Sequence, residues 1–205
     1  MRLYLSSYGL GNDTSYLKKW IKENGNEIVM ISNAHDNDIG EEDYEERLND
    51  KIKTIEEVGF KVKIMDLKKY FYDNDKLVKD LKRYKAFFIR GGNTYVLRKA
   101  FELSSFDKYL INNRDKDILY IGESAGCCVL AKTLDGVDIE DEPINIYNDD
   151  KVPYYGLGLI GFSPVPHYKS EYVDQSIIND TIKYLEKRKI EYKLIKDGDV
   201  IIIDI

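Results

Sequence analysis

The sequence predicts an α/β protein, a three-layer sandwich with a mostly parallel central sheet covered by helices on both faces. Three observations carry this expectation. Short β-rich runs alternate with helical patterns five times from the N-terminus, the connections between them are brief, and the composition suits one core. At 205 residues, 43% hydrophobic and 33% charged, the chain is expected to form a single domain spanning residues 1–205. Parallel neighbouring strands need crossover connections, and the intervening helices supply them.

The first run, residues 2–6, is a short apolar alternation. Residues 27–32, 60–66, 85–90 and 118–122 likewise read as buried strands. The clearest helix spans 41–58, where Tyr44, Leu48, Ile52, Ile55 and Val58 recur at three- and four-residue steps and Gly59 supplies the stop. After a helix expected to follow Ser124, residues 133–155 hold seven Asp or Glu and two Pro without sustained periodicity. They read as a long surface excursion, a lid or restrictive mouth near the site. Residues 157–163 resume a strand pattern and 171–188 are helical. Residues 191–195 and 200–205 read as strands flanking an Asp197-Gly198 turn.

The strongest local signal is the apolar run Ile118-Leu119-Tyr120-Ile121 feeding Gly122-Glu123-Ser124-Ala125-Gly126, a G-x-S-x-G turn followed by a small-residue helix start. Small residues two before and two after the serine permit a sharp, strained turn. Such a turn exposes the hydroxyl at a helix N-terminus and aims the next backbone N–H, that of Ala125, where an oxyanion would form. The alternative is a tight strand-to-helix turn whose serine only caps the helix. An earlier strand runs into Arg90-Gly91-Gly92-Asn93-Thr94, where the chain can approach a ligand closely. Gly92 can offer a second oxyanion donor there while Asn93 or Thr94 caps the next helix. Neither G-x-x-x-x-G-K-[ST] nor G-x-G-x-x-G is present, which weighs against a nucleotide loop.

A serine nucleophile needs a base, and the chain has two histidines. His167 follows a predicted strand in Pro164-Val165-Pro166-His167-Tyr168, and the order Ser then His matches α/β enzymes with an elbow, so it is preferred. His35 lies in a polar loop that reads as ordinary surface, although it is able to line the same face. For the acid that orients the base, Asp135, Asp138, Glu140, Asp141, Glu171 and Asp197 all remain open.

Bulk properties exclude several classes. With 31 Lys and Arg against 37 Asp and Glu, the net charge of −6 repels phosphate backbones, so no nucleic-acid partner is expected. The apolar N-terminal run is too brief for a signal-peptide core or a membrane span, so a cytoplasmic protein without membrane association is expected. Cys127 and Cys128 are adjacent, which disfavours a disulfide framework. A thiol enzyme using either of them is the weakest reading, because both fall on the helix beyond the elbow. Two scattered histidines and two adjacent cysteines make no standard ligand set, so no metal and no cofactor are expected.

Taken in order, Gly91-Gly92-Asn93-Thr94, Gly122-Glu123-Ser124-Ala125-Gly126 and Pro166-His167-Tyr168 resemble the peptidase E (aspartyl dipeptidase) family of serine peptidases. The resemblance implies a flavodoxin-like sheet related to the class I glutamine amidotransferase fold and a Ser–His–acid triad that cleaves short peptides. By position it implies Ser124 as nucleophile, His167 as base, and the N–H groups of Gly92 and Ala125 as the oxyanion hole. The family's acid lies in a late Leu-x-Glu-Gly turn. The matching Leu194-Ile195-Lys196-Asp197-Gly198 implies Asp197, a carboxylate of shorter reach. Asp141, ahead of Glu142-Pro143-Ile144, matches an aspartate associated with the family's site, and Asn93 joins it as a substrate-binding candidate. Family dipeptidases carry arginines after the histidine, whereas Lys169 is the only cation here between His167 and Asn179. Arg90 or Lys169 is the expected substitute for gripping a substrate carboxylate. The implied protein is a short-peptide hydrolase with an acidic N-terminal preference, a monomer or homodimer. The alternative is a non-catalytic small-molecule or peptide-binding protein on the same fold.

Overall fold

The computed structural model describes residues 1–148 and 151–205. In chain order the elements are β1 (Arg2–Ser6), α1 (Ser15–Asn24), β2 (Glu27–Ile31), α2 (Tyr44–Glu57), β3 (Lys61–Ile64), α3 (Asn74–Leu81), β4 (Ala86–Ile89), α4 (Thr94–Ser104), α5 (Phe106–Asn112), β5 (Leu119–Glu123), α6 (Ala125–Cys128), β6 (Ser163–Val165), α7 (Gln175–Arg188), β7 (Tyr192–Leu194) and β8 (Val200–Asp204). Six strands form one sheet in the order β3-β2-β4-β5-β1-β8. The five strands from β3 to β1 are parallel, and β8 closes the edge antiparallel to β1.

Side chains alternate across each strand, so one sequence feeds two cores. Tyr4, Ile28, Met30, Phe88 and Ile121 pack beneath Leu17 and Trp20 of α1 and Ile55 of α2. Leu5, Ile31, Phe87, Ile89 and Tyr120 face α3, α4 and α5 through Leu77, Phe101 and Phe106. Each such fully buried side chain contributes roughly 1.5–3 kcal/mol relative to its exposed state. The expected three-layer α/β architecture is thus present, with the carboxyl ends of β1, β4 and β5 side by side along one rim.

The second half departs from the sequence-based expectations. The strand expected at 157–163 is irregular. Its Leu157, Ile160 and Phe162 are buried against the main core while Leu157 and Leu159 donate to the carbonyls of Val129 and Leu130, so its apolar character reflects packing rather than a ladder. The strand begins at Ser163. The helix expected from 171 begins at Gln175, because Asp174 caps it by accepting from the Ser176 N–H at 2.9 Å. The strands on either side of Asp197-Gly198 do not pair with each other. β7 joins β6 in a separate parallel pair and β8 joins β1.

Residues 149 and 150 of the expected 133–155 excursion lie outside the described residues. Its remainder is tethered. Asn93 Nδ2 donates to the Glu142 carbonyl at 2.8 Å, the Tyr147 hydroxyl donates to Asp36, and Arg98 Nε donates to the Tyr155 carbonyl at 3.1 Å.

Candidate active site

β5 ends in the elbow. Ser124 holds φ 47° and ψ −111°, a strained conformation, and its N–H donates to the Ser6 carbonyl at 3.0 Å. The two glycines that frame it are there for space. A Cβ on Gly122 would lie 2.6 Å from the Gly126 carbonyl oxygen, and one on Gly126 would lie 2.6 Å from that of Ile89. The chain therefore turns back onto β4 at a distance only glycine allows, and the Ser124 hydroxyl is left at the rim. There the Oγ lies 3.0 Å from His167 Nε2.

His167 is delivered by β6. Tyr168 N–H donates to the Ile195 carbonyl, and the β6–β7 pairing sets the loops after both strands side by side. His167 has φ 59°, and Gln175 braces that bend by donating from Nε2 to the carbonyls of His167, Ser170 and Val173 at 3.0–3.1 Å. Asp197 arrives by a different route. β8 pairs with β1 so that Val200 stands opposite Ser6, which places the preceding turn beside the carboxyl end of β1. Asp197 Oδ1 is 3.5 Å from His167 Nδ1. Burial pushes the Asp197 carboxyl up, but hydrogen bonds from Ser170 and Ser7 and the nearby imidazole outweigh it, and the net pKa is lowered.

Gly92, in the loop after β4, and Ala125, next to Ser124, are the two expected oxyanion donors. Gly92 has φ 128°, and a Cβ there would lie 2.7 Å from the Ala34 carbonyl oxygen. The N–H groups of Gly92 and Ala125 have no hydrogen-bond partner among the described residues. The Gly91 N–H is occupied by Glu123 Oε2 at 3.3 Å. Glu123 itself is buried and fully engaged, accepting also from the Gly9 N–H at 2.6 Å and from Lys51. It anchors the two glycine-bearing loops instead of adding free negative charge.

A cavity of about 400 Å³ opens beside Ser124 and His167. Its far wall comes from α2, through Arg47, Asp50, Lys51 and Thr54, with Arg90 and His35 completing it. Arg47 is paired with Glu41 and Asp43, and Lys51 with Glu123. Arg90 is buried, donates to Ser32 Oγ at 3.2 Å, and has no carboxylate within ion-pair distance among the described residues. Burial lowers its pKa, although a guanidinium remains charged. His35, expected as ordinary surface, lines this cavity. Its Nδ1 is 2.6 Å from Asp38 Oδ2, and burial followed by the charge of Arg90 lowers its pKa.

The other candidates lie elsewhere. Asn93 caps α4, accepting from the N–H groups of Tyr95 and Val96 at 3.0 Å each. Asp141 accepts from the Thr94 N–H at 2.8 Å and borders a much smaller cavity behind Ser124 together with Glu140. Burial raises the pKa of both carboxyls. Lys169 is exposed, with its ammonium 5.3 Å from the Tyr168 ring centroid, and it does not border the larger cavity. Nor does any described residue of the 133–155 excursion, so the expected mouth is formed by α2 and the loops after β1, β2 and β4. Cys127 and Cys128 are buried and burial pushes both thiols up, which removes the thiolate a cysteine nucleophile requires. Among the described residues no group of three His, Cys, Asp or Glu is placed to hold a metal ion, and no helix is long and apolar enough to cross a membrane.

The sequence missed Ser7, Arg47, Lys51 and Gln175. Helical spacing of Arg47 and Lys51 put them four residues apart on one face of α2, which is a legible signal. Nothing local marks Ser7 or Gln175.

Comparison with known proteins places the chain in a family and agrees with its fold. The profile of peptidase family S51 matches residues 8–204. An uncharacterized peptidase of Listeria innocua serovar 6a is 27% identical over 155 residues, 73% of this chain and 72% of that one. A crystal structure of a candidate peptidase E from Listeria monocytogenes EGD-e superposes with a TM-score of 0.75 at 20% identity, covering 100% of this chain and 98% of that one. The crystal structure of a peptidase from an acI-B1 Actinobacterium superposes with a TM-score of 0.70 at 18% identity, over 98% and 82% of the two chains.

Proposed function

Because the chain belongs to peptidase family S51 and is a serine-type peptidase, we propose that it cleaves short peptides by acyl transfer to Ser124. His167 is the base, Asp197 its orienting acid, and the N–H groups of Gly92 and Ala125 receive the oxyanion. The observation that carries this reading is the 3.0 Å approach of Ser124 Oγ to His167 Nε2 beside a cavity that Gly92 lines.

His167 Nε2 takes the Ser124 proton as Oγ bonds to the scissile carbonyl carbon, and the carbonyl oxygen becomes an oxyanion held by the two N–H groups. The C–N bond then breaks, with the imidazolium giving its proton to the departing amine. Water attacks the acyl-enzyme with His167 again as base, releasing the acid and restoring the serine.

A preference for an acidic N-terminal residue is supported by Arg90, the cavity cation without a carboxylate partner among the described residues. A guanidinium can receive a carboxylate in a bidentate fork. The small volume suits one or two residues.

The test is hydrolysis of Asp-X, Glu-X and neutral dipeptides by the wild type and Ser124→Ala. Wild-type turnover, fastest on acidic N-termini and reduced by at least about 10³-fold in the variant, is expected. Equal turnover by the two proteins would remove Ser124 from the mechanism. A Ser124→Ala variant that binds the peptides as tightly as a wild type without turnover would favour the non-catalytic alternative.

A further inference from the structure

Ser7 is fully buried one residue beyond β1 and in contact with both His167 and Asp197. Its Oγ accepts from the His167 backbone N–H at 2.7 Å and donates to Asp197 Oδ1 at 2.6 Å. The same Oγ is 3.4 Å from His167 Nδ1, while Asp197 Oδ1 is 3.5 Å from that nitrogen. Resting on the reading of His167 as base, we propose that Ser7 is a positioning residue for it, completing with its hydroxyl the span from imidazole to acid that the aspartate side chain leaves long.

The bookkeeping of a hydroxyl supports this. Such a group has one donor and two acceptor lone pairs. The donor is spent on Asp197 and one lone pair on the His167 N–H, so the second is free for Nδ1–H. Nδ1–H is thereby shared between Ser7 Oγ and Asp197 Oδ1, and neither contact alone is short. With the proton held on Nδ1, Nε2 presents its lone pair to Ser124. Ser7 thus fixes His167 twice over, its Oγ accepting once from the His167 backbone N–H and once from the ring nitrogen.

The experiment compares the wild type, Ser7→Ala, Asp197→Glu and the double variant Ser7→Ala/Asp197→Glu on the best dipeptide, with Ser124→Ala and His167→Ala alongside. Ser7→Ala is expected to lower kcat about 10–100-fold with KM within about twofold, because orientation of the base acts on the chemical step. In the double variant the longer carboxylate occupies the space of the missing hydroxyl and reaches Nδ1 directly, so kcat is expected to recover at least about tenfold over Ser7→Ala. Thermal melting confirms that each variant is folded, and a purely structural serine would give no such rescue. A Ser7→Ala kcat within twofold of wild type, or a loss that the longer acid does not rescue, would overturn the proposal. Turnover that survives Ser124→Ala or His167→Ala would instead overturn the reading on which it rests.

Discussion

Gly92 illustrates how tightly single residues are held at the rim. Its φ of 128° is open to glycine, and the Ala34 carbonyl oxygen occupies the place a Cβ would need. That same carbonyl accepts the Asn93 N–H at 2.9 Å, so it cannot withdraw without loosening the start of α4. Gly92→Ala is therefore expected to displace the loop, costing about 1–3 kcal/mol of stability from the strained backbone. If the Gly92 N–H receives the oxyanion, kcat falls by about 10²–10³ as well. Denaturant unfolding and steady-state kinetics on the same preparation check both numbers. A destabilised variant with wild-type kcat would show that the loop matters for folding alone.

At the scale of elements, what could be read from the chain depended on whether the constraint was local. The elbow was legible because an apolar strand, two glycines at fixed offsets and a following helix start lie within ten residues. Their necessity reappears as the 2.6 Å approaches of Gly122 and Gly126 to backbone oxygens. The juxtaposition of Ser124 with His167 was legible from chain order and motif resemblance. The contact of Asp197 with Ser7 was not, because it depends on β8 returning antiparallel beside β1, and no local pattern distinguishes that from a hairpin with β7. The cavity wall from α2 was missed for a similar reason, since periodicity identified the apolar face of the helix and left its charged face unassigned. The excursion after α6 was recognised as a long irregular segment, but its acidic composition hid a specific tether. The Tyr147 hydroxyl donates to Asp36, which also accepts from Asn33 and Lys68 at 2.8 Å, and its ring meets Phe71 edge-on at 5.1 Å. Tyr147→Phe keeps the ring contact and removes one donor to a charged acceptor, so a loss of about 1–2 kcal/mol is expected in denaturant unfolding. Limited proteolysis between residues 142 and 148 is expected to quicken. An unchanged cleavage rate would mean that Asn93 and Thr94 hold the segment without the tyrosine.

For the molecule as a whole, charge is distributed so that function and stability pull apart. The net charge is −6, yet the cavity beside Ser124 gathers three cations, Arg47, Lys51 and Arg90, against the carboxylates of Asp50 and Glu123, and two further carboxyls, Glu140 and Asp141, are packed behind the serine. Asp141 has a backbone donor in Thr94, whereas burial and the neighbouring Asp141 push Glu140 up to about 7 from an ordinary 4.5. A carboxyl whose pKa is raised on folding binds its proton more tightly in the native state, so its ionisation opposes folding. The penalty is absent below about 4.5, grows as pH rises, and is complete above about 7. Glu140→Gln removes the ionisation while keeping the volume. The variant is therefore expected to match the wild type near pH 4 and to exceed it by about 1–3 kcal/mol at pH 8, the difference opening between those limits. Thermal melting across that range reads the effect, at roughly 2–4 °C per kcal/mol for a chain of this size. A difference that is the same at pH 4 and pH 8 would show that Glu140 is solvated or paired in solution, and that the acid pair behind Ser124 carries no strain for the whole fold to absorb.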